Sequence, residues 1–140
     1  MEGPDLLKDE SIMTRVLTRH ICAATILVSL LPVAAQACDA SGHWTAVQSN
    51  GARVDFDLSQ NGSELEGTAY SPGIGNGNVS GSLRGESIDF EIYWPNGSVG
   101  AYSGRVGGDG RIHHGFTHDR RNPGSRASWY STSPLDCSDE

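Results

Sequence analysis

From Cys38 onward the chain predicts an all-β fold, an eight-stranded antiparallel up-and-down meander closing into a small barrel. Three observations carry this. Short runs alternate apolar and polar residues with period two, the signature of half-buried strands. Asn50-Gly51, Asn61-Gly62, Asn76-Gly77, Asn96-Gly97 and Asp109-Gly110 punctuate those runs, and such dipeptides favour tight hairpins because both central residues of a type I′ turn need positive φ. No segment after residue 38 shows a helical period.

The strands are expected near 42–48, 52–59, 63–70, 78–84, 86–94, 98–106, 110–118 and 126–132. In the second, Val54, Phe56 and Leu58 share one face. In the fifth, Ile88, Phe90, Ile92 and Trp94 point inward while Asp89 and Glu91 point outward. In the seventh, Ile112, His114, Phe116 and His118 share the inner face and His113 opposes them. Closure into a barrel removes the exposed edges of an open sheet. Gly67, Gly81, Gly104 and Gly115 mark bends or close approaches within strands. A two-sheet β-sandwich is the runner-up architecture, since it uses the same alternation. Two connections read as long loops, the Gly-rich residues 71–78 and the polar residues 119–125, and long loops on a rigid β-scaffold are where binding tends to reside.

The N-terminal residues differ in kind. Residues 21–35 carry no charge, Arg15 and Arg19 precede them, and Ala35-Gln36-Ala37 follows as an A-x-A cleavage signal. That order is the signature of a signal peptide, and the apolar run is shorter than the ~20 residues of a spanning helix. Residues 1–37 therefore read as an N-terminal extension and signal peptide, with translation from Met1 or Met13, and 38–140 as one β-domain. The expected location is secreted or periplasmic, with no transmembrane segment once the signal is removed.

The whole chain has a formal net charge of −7. Past residue 37 it carries thirteen Asp and Glu against seven Arg and no Lys. That balance argues against nucleic acid, whose phosphates need clustered Lys or Arg. Cys38 and Cys137 bracket the domain, and a disulfide between them is the simplest reading in an oxidising compartment. The alternative makes Cys38 the lipidated first residue of an anchored lipoprotein, although Ala35 and Gln36 fit a lipobox poorly.

The candidate chemistry is aromatic. Trp44, Trp94, Tyr102 and Trp129 fall in the first, fifth, sixth and eighth strands, and closure would bring Trp44 and Trp129 together. Pointing inward, they form either the wall of a ligand pocket at a barrel mouth or a filled core. His114 reads as a hydrogen-bonded interior histidine. His114 and His118 lie ~13 Å apart along a strand, too far to share one metal, and no metal-ligand spacing exists. No Gly-x-Ser-x-Gly elbow is present, and the paired cysteines leave no thiol nucleophile. Asp55 and Asp57, like Asp89 and Glu91, alternate with inward residues and so face solvent. No catalytic residue, cofactor or metal is expected. Asn61, Asn78 and Asn96 begin formal glycosylation sequons that turn chemistry explains better.

Several segments together resemble the avidin/streptavidin family. They are Gly42-His43-Trp44, Leu65-Glu66-Gly67-Thr68, the spaced Val79, Gly81, Leu83 and Gly85, Ile88-Asp89-Phe90-Glu91-Ile92-Tyr93-Trp94, Tyr102-Ser103-Gly104, and Arg111-Ile112. The resemblance implies an eight-stranded barrel, a ligand at its open end, Trp walls, and a mobile lid formed by residues 71–78. It also matches Ser71 to a ligand-facing loop serine and Ser98 to one in the sixth strand. The polar shell departs from the family. Ala46 replaces an expected Asn, Tyr70 is displaced by one position, Tyr102 stands for a tryptophan, and Asp136 lies on a strand too short to align.

The expected function is thus non-enzymatic binding of a small ligand, with Trp44, Trp94, Tyr102 and Trp129 as walls and Ser71 and His114 as polar contacts. A second reading is a protein-interaction module or inhibitor that meets an acidic partner through Arg120, Arg121 and Arg126 in the 119–126 loop. A third is a structural cell-envelope protein.

Overall fold

The computed structural model describes residues 36–139. The proposed signal sequence and both start methionines lie outside the described residues, save Gln36 and Ala37. Ten strands follow in order: β1 (Gln36–Asp39), β2 (Gly42–Gln48), β3 (Arg53–Asn61), β4 (Glu64–Ser71), β5 (Gly75–Arg84), β6 (Ser87–Tyr93), β7 (Val99–Val106), β8 (Ile112–Asp119), β9 (Asn122–Ser131) and β10 (Asp136–Asp139). Strands β2 to β9 pair each with the next, and β9 pairs back with β2, so an eight-stranded antiparallel barrel closes. The closing seam is short, with Ala46, Val47 and Gln48 opposite Ser131, Tyr130 and Trp129.

The period-two pattern explains the core. Val54, Phe56 and Leu58 on β3, and Ile88, Phe90 and Ile92 on β6, are all buried, while Asp57 and Asp89 between them are exposed. Inside, aromatic rings run in a chain. Trp44 stacks on Phe56 at 4.4 Å, Phe56 meets Phe90 edge-on at 5.3 Å, and Phe90 stacks on Tyr102 at 5.0 Å. Trp129 closes the set against Phe90 and Tyr102 at 5.9 and 5.8 Å. Such stacked and edge-to-face pairs add ~0.5–1.5 kcal/mol each beyond their burial. Glycine makes the room. At Gly115 an added Cβ would lie 2.6 Å from the Trp129 ring, and at Gly81 it would strike the Phe90 backbone.

The end ribbon, β1 with β10, was not foreseen in the sequence. Cys38 faces Cys137 in this two-stranded pair, and a disulfide joins them. Both half-buried cysteines pack on the barrel core. Beside them the Trp44 indole donates to the Ala40 carbonyl at 3.0 Å, and the Leu135 amide donates to the Gly110 carbonyl at 2.8 Å. This end of the barrel is plugged.

Three expectations about connections need correction. Residues 71–78 are no long loop. Residues 72–74 make a tight turn, Ile74 donating to the Ser71 carbonyl, and β5 starts at Gly75. Asn76-Gly77 is therefore inside a strand opposite Tyr70 and Ala69, because extended backbone there satisfies its hydrogen bonds in the ladder. Residues 119–125 are likewise mostly strand. Asp119 pairs with Asn122, leaving Arg120 and Arg121 as a two-residue turn, and residues 123–125 bulge outward before Arg126 rejoins His118.

The largest correction is in β8. Gly100 to Ser103 pair with Asp119 to Phe116 in one register, whereas Arg105 and Val106 pair with His113 and Ile112 in another. One extra residue on β8 makes a β-bulge, and His114 there takes φ 52°. A bulge of one residue exchanges the faces of everything beyond it. Ile112 and Thr117 are buried, whereas His114 and Phe116 are exposed and His118 is half-buried.

Candidate functional site

The end of the barrel opposite the disulfide carries four turns, β2–β3, β4–β5, β6–β7 and β8–β9. Between them opens a cavity of about 180 Å3. Its apolar side is Val54, Ile74, Trp94 and Tyr102, and its inner polar side is Gln48, Ser71 and Thr117. His118, Asp119 and Arg126 stand at the rim.

Each inner group is placed by its strand. Gln48 ends β2, and its side-chain amide donates to the Tyr102 hydroxyl at 2.6 Å. Thr117, which pairs across the ladder with Tyr102, is buried beside it. Burial raises the Tyr102 phenol above its ordinary value of 10.0, against a smaller opposing pull from Thr117 and Gln48. The phenol therefore stays neutral at physiological pH. Ser71 ends β4 and donates to the Arg53 carbonyl at 2.8 Å, which leaves its oxygen free to accept.

Trp94 sits one residue beyond β6. Its backbone closes the β6–β7 turn, donating to the Ser98 carbonyl and accepting from the Gly97 amide, both at 3.0 Å. The side chain is only 9% exposed and lines the cavity. Among the described residues its indole N–H has no hydrogen-bond acceptor. Trp44 and Trp129, by contrast, donate to the carbonyls of Ala40 and Phe116. A buried donor left unpaired costs ~1–3 kcal/mol.

The site thus gathers three of the six residues singled out in the sequence: Trp94, Tyr102 and Ser71. Trp44 does not join them. It belongs to the plugged end, and the rings between it and Trp129 are Phe56 and Phe90, since the β2–β9 register sets Trp129 opposite Gln48. Trp129 packs behind Tyr102 as core. His114 is outside the barrel, turned out by the bulge. Arg126 reaches the rim, Arg120 forms an ion pair with Glu91, and Arg121 stays in the exposed turn. Gln48 and Thr117 were missed. Gln48 sits at an inward position of β2, two residues beyond Ala46, and that alternation was the available signal. Thr117 had none, because the bulge that turns it inward leaves no trace in the residue pattern.

Charged groups stay out of the inner cavity. Asp55, Asp57, Asp89 and Glu91 are on the outer face, and among the described residues no group of three His, Cys, Asp or Glu side chains converges to hold a metal. What fold and geometry define is a closed eight-stranded antiparallel barrel with one plugged end and one open, aromatic-lined mouth. No family model matches the chain, and no curated protein or solved structure matches it either.

Proposed function

We propose that this protein is an exported, non-enzymatic binder of a small, uncharged, hydrogen-bonding molecule held in the barrel mouth. The observation that carries this is the buried Trp94 ring in the cavity wall, whose indole N–H has no acceptor among the described residues. A ligand acceptor placed there would recover the cost of that unpaired donor. Ser71 offers an acceptor, and the neutral Gln48–Tyr102–Thr117 set offers further hydrogen bonds, so the inner wall suits an uncharged group, the charged side chains Asp119 and Arg126 standing only at the rim. The cavity is below the ~300–1,000 Å3 of drug-sized sites, which favours a compact molecule. Export is supported by the disulfide, a bond that persists in oxidising compartments.

An avidin-like reading is supported by the barrel and by Trp94 and Ser71 at its mouth. The buried methyl of Ala46 supplies no polar contact where that family presents one, so a ligand other than biotin is expected. The test is a small-molecule screen read by thermal shift and tryptophan fluorescence, repeated on Trp94→Phe, which keeps a ring but loses the N–H. A hit should raise the unfolding temperature in proportion to its saturation. Trp94→Phe should bind it roughly tenfold more weakly, the equivalent of one hydrogen bond. Equal binding by Trp94→Phe would remove the proposal, as would a broad screen with no hit.

A further inference from the structure

Carboxylates are unevenly spread over the barrel strands. Strands β3, β4 and β6 carry six, Asp55, Asp57, Glu64, Glu66, Asp89 and Glu91. Strands β7, β8, β9 and β2 carry one, Asp119. Each half has two strand arginines, Arg53 and Arg84 against Arg105 and Arg126, so the carboxylates make the difference. Those of β3 have partners, Asp55 with Arg53 at 3.6 Å and Asp57 with His43 at 3.9 Å, and Glu91 pairs with Arg120. Glu64, Glu66 and Asp89 have no ion-pair partner among the described residues.

Strand β5 sets four of these groups in two rows. Ser82 lies between Glu64 and Asp89, and Ser80 lies between Glu66 and Glu91. Adjacent strands are ~4.8 Å apart, so the rows on β4 and β6 stand ~10 Å apart with β5 as the floor between them. That floor is low, because Ser80 and Ser82 are small and Gly81 between them has no side chain. A hollow of about 560 Å3 on the β4 side meets one of about 420 Å3 on the β6 side at Ser80 and Gly81, which line both. Glu64 and Glu66 line the first, and Asp89 and Glu91 line the second. The basic groups on the lining are Arg84, at the plugged end, and His118, on the far wall.

We infer that this trough docks an extended, basic segment of a partner protein lying along β5. Within each row the carboxylates are two residues apart, ~7 Å, which is also the repeat of same-facing side chains in an extended chain. Lys or Arg at alternate positions of the segment would therefore meet the rows in step. Ser80, Ser82 and the neighbouring Asn78 would offer hydroxyls and an amide to its backbone. A single metal ion fits worse, because among the described residues no three His, Cys, Asp or Glu side chains converge to hold one. Toward the mouth the face continues to the exposed rings of Tyr70 and Tyr93, which can also accept a cation. Charge complementarity of this kind fixes register and speeds encounter. The inference is independent of the mouth cavity, which none of the four carboxylates lines.

The test uses the chain with its disulfide intact. A short fluorescein-labelled peptide alternating Lys and Thr, and its Glu and Thr counterpart, are titrated by fluorescence anisotropy at low and high salt. The Lys/Thr peptide should bind, the Glu/Thr peptide should not, and affinity should fall with added salt. Glu66→Gln and Asp89→Asn should each weaken binding roughly threefold, as expected for one exposed ion pair, and roughly tenfold together. Asp57→Asn, outside the trough, removes the same charge and should leave affinity nearly unchanged. Ser80→Tyr fills the floor at constant charge, in a residue type that strands favour, and should weaken binding at least as much as the double variant. Circular dichroism should be unchanged in all four. Equal binding of both peptides would overturn the inference, as would no binding of the Lys/Thr peptide, or failure of the unlabelled peptide to compete. Binding that survives Ser80→Tyr, or that Asp57→Asn weakens as much as Asp89→Asn does, would overturn it by showing attraction to net charge alone. Complete displacement by calcium, at an ionic strength where sodium chloride has no effect, would overturn it by showing a metal site instead.

Discussion

His114 illustrates how much one backbone conformation decides. A non-glycine residue at φ 52° costs ~1–2 kcal/mol because Cβ crowds the following carbonyl. Replacing it with glycine removes that crowding at a smaller entropic cost, so His114→Gly should raise the unfolding free energy read from urea titration by ~0.5–1 kcal/mol. His114→Val, β-branched at the same φ, should lower it by ~1–2 kcal/mol. Gly115 acts through contact instead. Gly115→Ala places a methyl 2.6 Å from the Trp129 ring, and overpacking of that kind costs ~1–3 kcal/mol. Tyr102 governs the alkaline limb. Below pH 10.0 the folded and unfolded chains both hold its proton. Above it the unfolded chain ionises first, so stability falls as pH rises toward the elevated folded value. Urea unfolding on either side of pH 10.0 should show this loss, and Tyr102→Phe should flatten it.

At the scale of elements, β8 is where regular alternation fails. A period-two reading assigns His114, Phe116 and His118 to the interior, and it is correct for Ile112 alone. One inserted residue is invisible to residue type, because nothing in the side chains of residues 112–118 says which of them goes unpaired. Deleting His114 should therefore be far worse than substituting it. The deletion restores strict alternation and drives Phe116 and His118 toward a core already filled by Phe90, Tyr102 and Trp129. The deletion variant should lose its cooperative urea transition while His114→Gly keeps it. The β4–β5 connection failed differently: Gly and Asn in residues 73–78 read as loop, yet Gly77 and Asn78 supply ladder hydrogen bonds opposite Ala69 and Thr68.

Over the whole molecule, two devices hold the ends. The barrel closes on three residue pairs between β2 and β9, and the disulfide spans a sequence separation of 99. In the chain-entropy account, a loop of that length stabilises by about 5 kcal/mol. Cys38→Ser with Cys137→Ser should lower unfolding free energy by that order in urea, and reductant should do the same to the wild type but not to the variant. The disulfide also leaves Cys38 no free thiol for lipidation in the folded form. Mass spectrometry of the purified chain should find the Cys38 sulfur oxidised and no lipid attached.

The sequence by itself determined the all-β class, the eight barrel strands and most of the inward set, because each rests on local alternation and turn chemistry. It also singled out Trp94, Tyr102 and Ser71, whose positions follow from regular strands, and it pointed to the cysteine pair at the domain's ends. Only the tertiary structure decided that Trp44 belongs to the plugged end and Trp94 to the open one. Only the structure showed that Gln48 and Thr117 complete the cavity and that β8 presents its aromatic and basic residues outward. Those outcomes depend on strand register and on one bulge, both set by how neighbouring strands pair across the barrel and not by any residue's own preference.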